Sequence, residues 1–117
     1  MKDILKSAVT SVEGGLASVV MGFDGVPVEQ YVQDGSGVDI ETLGVEYSNA
    51  LTEVRRTAES LSSGSVQEVA VLTESGLVLL RPVNQEYFVA LVLTAEGNLG
   101  KGRFLLKRAA RALAQEM

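Results

Sequence analysis

Leu16-Ala17-Ser18-Val19-Val20-Met21-Gly22-Phe23 is an almost unbroken apolar run, and Asp24-Gly25-Val26 follows it at once. A strand bare on one face would carry a polar residue at every second position, so a run without that alternation belongs inside a sheet covered on both faces. An Asp-Gly pair tolerates the positive φ angles of a tight type I′ turn, and Val26 to Val32 is therefore predicted to fold back antiparallel. Pro27 has no N–H to donate to a ladder, which places that second strand at the edge of the sheet.

Ahead of this hairpin, Ile4, Leu5, Ala8, Val9 and Val12 fall on one side of a helix, with Lys6, Ser7 and Thr10 opposite. After it comes a Gly- and Ser-containing connection from Gln33 to Val38, and Asp39 is placed to cap a second, longer helix. Its apolar positions, Ile40, Leu43, Tyr47, Leu51, Val54, Ala58 and Leu61, step by three or four and keep to one stripe. Glu41 and Glu46 lie early and Arg55 and Arg56 late, an order that suits the helix dipole. Ser62-Ser63-Gly64 ends the helix, and the period then changes to that of strands: Val66 to Thr73, Leu77 to Val83 and Tyr87 to Thr94, joined by links short enough for hairpins. Asn98 can cap a last helix whose Leu106, Ala109, Ala110, Leu113 and Met117 face the core, with Arg103, Lys107 and Arg111 in an outer row.

The expected architecture is of the α/β (α+β) type: an antiparallel sheet of five strands between one long helix and two terminal helices. With 117 residues and 46% apolar content, the chain suits one domain, residues 1–117, and is short for two. No apolar run approaches the roughly 20 residues needed to cross a bilayer, and the first twelve residues lack the layout of a secretory signal. A cytoplasmic protein without a membrane partner is the expectation.

Cysteine, histidine and tryptophan are all absent. Thiolate chemistry, disulfides and imidazole as base or metal ligand are thereby removed. Ser11, Ser48 and Ser75 have nothing to activate them. No catalytic residue, no cofactor and no metal is expected. Gly97-Asn98-Leu99-Gly100-Lys101-Gly102 has the look of a phosphate cradle but fails the P-loop pattern: Ala95 stands where the first glycine belongs, and Gly102 replaces the hydroxyl residue. Asp34-Gly35-Ser36-Gly37, with Asp39 and Glu41 nearby, lacks the spacing of a calcium loop. The charge is uneven, with 14 acids and 5 bases in residues 1–97 but 1 acid and 5 bases in residues 98–117. An acidic body argues against a nucleic-acid partner, and the row Arg103, Lys107, Arg108 and Arg111 reads first as a solvated face.

Two features point to self-association. Beside the core stripe of the long helix runs a line of small or modest residues, Gly44, Val45, Ser48 and Thr52, which would let a second helix come close. The strand from Val66 to Thr73, with Val69 and Val71 inside it, is expected at an edge without a proline guard, and such an edge invites strand addition. A two-fold homodimer follows from the pair.

The element order, the hairpin Ala17-Ser18-Val19-Val20-Met21-Gly22-Phe23-Asp24-Gly25-Val26, the long second helix and the entry Gly97-Asn98-Leu99-Gly100-Lys101 together resemble the Roadblock (dynein light chain) family, in its bacterial MglB-like branch. The likeness covers nearly the whole chain. It implies a profilin-like Roadblock fold with strand order 2-1-5-4-3, and a homodimer in which the strands from Val66 to Thr73 join and the long helices pack antiparallel. It implies further a platform for a Ras-like small GTPase of the MglA type, acting as a GTPase-activating protein that positions the GTPase's own residues without inserting an arginine. By that analogy Glu46, Asn49, Glu53 and Arg56 would meet the partner. The chain is expected to lack the extensions of MglB-like proteins beyond this core, which separates the dimeric module from GTPase activation. The alternative the family offers is a scaffold or motor-cargo adaptor of the dynein light chain type, blind to the nucleotide. A small-ligand sensor ranks behind both, because no cluster of polar anchors stands out in the aliphatic interior.

Overall fold

A computed structural model describes residues 1–117. Its elements are α1 (Lys2–Thr10), β1 (Gly15–Gly22), β2 (Pro27–Val32), α2 (Ile40–Ser60), β3 (Val69–Leu72), β4 (Leu77–Pro82), β5 (Tyr87–Leu93) and α3 (Leu99–Glu116). The strands form one antiparallel sheet in the order β2-β1-β5-β4-β3, as the resemblance implies. No helix is long and apolar enough to cross a membrane.

Alternation along each strand divides the core in two. Val20, Val89, Leu91, Leu93, Leu77 and Leu79 face α1 and α3, where Leu5, Val9, Leu106 and Leu113 complete one cluster. Ala17, Val19, Met21, Phe88, Ala90, Val92, Val78 and Leu80 face the other way and pack with Ile40 and Leu51 of α2. Burial on both faces is what the unalternating runs of β1 and β5 require. A buried polar contact ties the first layer: the Ser18 hydroxyl donates to the Leu5 carbonyl at 3.1 Å.

The caps form where their residue types allow. Asp39 accepts from the Thr42 N–H at 3.2 Å and from the Thr42 hydroxyl at 2.7 Å, and Asn98 accepts from the Lys101 N–H at 3.0 Å. The hairpin turn differs from expectation. The Gly22 N–H donates to the Val26 carbonyl and the Gly25 N–H to the Gly22 carbonyl, with Gly25 alone at positive φ. The loop is therefore three residues long, a turn closed by a left-handed glycine, because Asp24 keeps ordinary φ and accepts from the Val26 N–H instead of turning left-handed. Pro27 does open an edge strand.

Three further expectations are corrected. β3 is shorter than predicted, so Val66 and Thr73 lie outside it. The chain from Ser62 to Gly64 passes through positive φ at both ends, and Thr73 closes the next turn by bonding Gly76. The buried stripe of α2 is Ile40, Gly44, Ser48 and Leu51, whereas Val54 and Leu61 are exposed, because α2 lies over β1 and β2 and its C-terminal turns run beyond them. Met117 is exposed at the end of α3 rather than in the core.

Candidate protein-interaction site

β3 terminates the sheet, and its outer backbone has no strand partner. Val69 and Val71 point to the α2 side and are half-buried against that core. Ala70 and Leu72 point to the other side, where the α1–α3 layer does not reach, and Leu72 is 62% exposed. The opposite edge, β2, carries Pro27 and Glu29, whereas the four residues of β3 include neither charge nor proline. An open, uncharged edge with an exposed leucine is an uncommon thing to leave bare.

The helix line is placed differently from the sequence reading. A Cβ at Gly44 would stand 2.6 Å from Met21 Cε and 3.6 Å from Val19 Cγ1, so this glycine permits α2 to settle onto its own sheet. Ser48 is buried beside it, its hydroxyl donating to the Val45 carbonyl at 2.6 Å. Val45 and Ser48 also approach Gly25, at the β1–β2 turn, on the side of α2 remote from β3. Gly44 and Ser48 thus explain their small size by intramolecular packing and offer no surface. Val45 is exposed and Thr52 half-buried. On the flank of the helix that carries Leu43 and Tyr47, Val54 is 40% exposed.

Glu46, Asn49, Glu53 and Arg56 are all exposed, and helical spacing gathers them into one outward strip. Within it Arg56 donates to Glu53, an i, i+3 ion pair. Asp39, the N-cap of α2, has its carboxyl held below the usual aspartate range, first by the Thr42 hydroxyl and then by the Thr42 N–H.

Two clusters escaped the sequence reading. Arg55, assigned there only to the helix dipole, lies with its guanidinium 3.8 Å from the centre of the Phe23 ring and donates to Gln85 at 3.3 Å. Phe23 in turn meets Phe88 at 5.4 Å between ring centres. This stack clamps the C-terminal half of α2 to one end of the sheet. Glu68, 17% exposed, bonds Arg103 of α3 at 2.7 Å and pairs with Arg81 of β4 at 3.5 Å, pinning the chain where it enters β3. No periodicity links residues so far apart in sequence, so nothing in the string announces either cluster.

An open cleft of about 640 Å³ lies between the end of α2 and the β4–β5 turn, lined mostly by polar side chains such as Glu59, Gln67, Asn84 and Gln85. Small-molecule sites are mostly apolar enclosures with a few aimed polar groups, and no buried side-chain polar atom lacks a partner here. Gly102, from the cradle-like stretch, is buried on the inner face of α3, where a Cβ would stand 2.9 Å from Leu93 Cδ1. It serves close packing of the helix on β5. No three acidic side chains gather where they could hold a metal ion.

A sheet of this order, with one long helix inserted between its second and third strands and two terminal helices behind it, is the architecture of a Roadblock-type domain. No family model matches the chain. It is 43% identical to MglC from Myxococcus xanthus, covering 98% of this chain and 97% of that one, with a TM-score of 0.72. A Roadblock/LC7 domain from Streptomyces avermitilis shares the fold at a TM-score of 0.88 and 14% identity, over 99% of this chain and 96% of that one. MglB in a tetrameric arrangement does so at 0.87 and 19%, over 97% and 84%. The uncharacterized protein MJ0310 of Methanocaldococcus jannaschii is 30% identical over 94% of each chain. The chain belongs to the Roadblock family, among its MglB-like proteins.

Proposed function

We propose that residues 1–117 act as one non-catalytic, cytoplasmic Roadblock domain that forms a homodimer and regulates a Ras-like small GTPase of the MglA type. The observation that carries this reading is the β3 edge, uncharged, unguarded and bearing an exposed leucine. Two copies related by a two-fold axis would satisfy each other's free backbone groups there, extending one sheet across both. The half-buried Val69 and Val71 and the exposed Val54 lie on the α2 side of that junction and gain cover from the mate. Self-association also fits the tetrameric arrangement of MglB.

In this reading the strip Glu46, Asn49, Glu53 and Arg56 meets the GTPase. By the same analogy, the action would be to position the GTPase's own residues without inserting an arginine. Binding to a Ras-like GTPase of the MglA type tests the proposal, with the GTPase loaded in turn with GTP and GDP. Preference for the GTP form, lost in Glu46→Arg, is the expected result. Equal binding in both states would favour the scaffold or adaptor role instead, and no binding in either would overturn the regulatory reading.

A further inference from the structure

The α1–α3 layer carries a second surface that the dimer and GTPase reading leaves unused. Between the two helices runs a groove of about 250 Å³ with a mainly apolar lining that includes Ile4, Leu105 and Ala112, and Arg108 stands on its α3 rim with Asp3 opposite. That volume falls below the roughly 300–1,000 Å³ of small-molecule pockets, while an apolar trough between helices suits side chains projecting from a third helix. Beside the groove, Phe104 is 60% exposed, an aromatic ring on the outermost face of α3. Helical spacing surrounds it with Lys101, Lys107, Arg108 and Arg111. None of these four makes a salt bridge, and Arg103 alone among the cations of α3 is engaged, by Glu68.

We infer that this face is a docking site for an acidic amphipathic helix of another protein, with apolar side chains in the α1–α3 groove and carboxylates on the basic rim. Charge complementarity selects the partner. Four unpaired cations around an exposed ring call for anions, and the shape beside them calls for an apolar ridge. The rest of the chain selects against a larger polyanion, since residues 1–97 hold 14 acids to 5 bases. A bilayer of acidic lipids or a nucleic acid would extend over that body and be repelled by it, whereas a short acidic helix stays within the patch. The site lies on the sheet face opposite α2, so it stands apart from β3 pairing and from the GTPase strip.

The test is selection of binders to the full chain from a display library of amphipathic helices with Glu and Asp on the polar face and randomised apolar residues on the other. A matched library with Lys and Arg serves as the control. The acidic library is expected to yield binders, and their affinity should fall with rising salt and by about tenfold or more in Arg108→Glu. Filling the groove with Ala112→Phe is expected to weaken them too, while Leu72→Lys at the β3 edge leaves them unchanged. Both Arg108 and Ala112 lie outside the buried core, and circular dichroism verifies that the variants fold. No enrichment of acidic over basic helices would overturn the inference. So would binders indifferent to both substitutions, or Arg108-dependent sedimentation with phosphatidylglycerol vesicles in place of helix binding.

Discussion

Gly44 carries the clearest lesson at the scale of single residues. A small residue on a helix signals a close neighbour, and the sequence cannot say whether that neighbour is the chain's own sheet or another molecule. Here Met21 and Val19 supply the answer. Gly44→Leu is accordingly expected to destabilise the fold by about 2 kcal/mol, as overpacking commonly does, measured by urea denaturation. An exposed glycine would behave in the opposite way, since leucine is the better helix former. Asp39 gives a prediction in pH. Its lowered carboxyl pKa means that the native state favours the ionised cap, so the stabilisation is present above the unfolded aspartate's pKa and is lost as pH falls through the lowered folded value. Asp39→Ala should melt lower than the wild type at neutral pH, and the gap should close as both are titrated into that acidic range. A gap independent of pH would mean that the carboxylate is not what caps α2.

For the elements, periodicity and punctuation made most of the fold legible. The eight elements appear in the predicted order because each has a period of its own, and because Asp39, Asn98 and Pro27 act locally through hydrogen bonds or their absence. What could not be read were facts that depend on tertiary distance. The apolar pattern of α2 continues through Val54 and Leu61, and only the placement of the helix over β1 and β2 leaves them bare. The start of β3 is likewise set by Glu68, whose partners lie on β4 and α3. Removing that carboxylate leaves Arg81, itself only 17% exposed, without its counter-ion. Glu68→Ala should cost about 1–2 kcal/mol, more than a fully exposed pair and less than a fully buried one. Faster amide hydrogen exchange through β3 would accompany it, and unchanged exchange there would show that the ion pairs do not hold the strand.

Taken as a whole molecule, the chain is a sheet with two filled faces and two unlike edges. β2 is guarded by proline and charge; β3 is not. Both core clusters come from short-range strand alternation, which is why the sandwich could be anticipated, whereas the side of α2 that borders the β3 edge could not. The proposed interaction site therefore rests on the edge more than on the helix line first picked out. The central claim is that two copies share this edge, and sedimentation equilibrium at micromolar concentration tests it most directly. The wild type should run at twice the chain mass and Leu72→Lys, a change at an exposed position that leaves the core intact, at a lower mass approaching a single folded copy. A well-folded wild type at the mass of one chain would contradict the account.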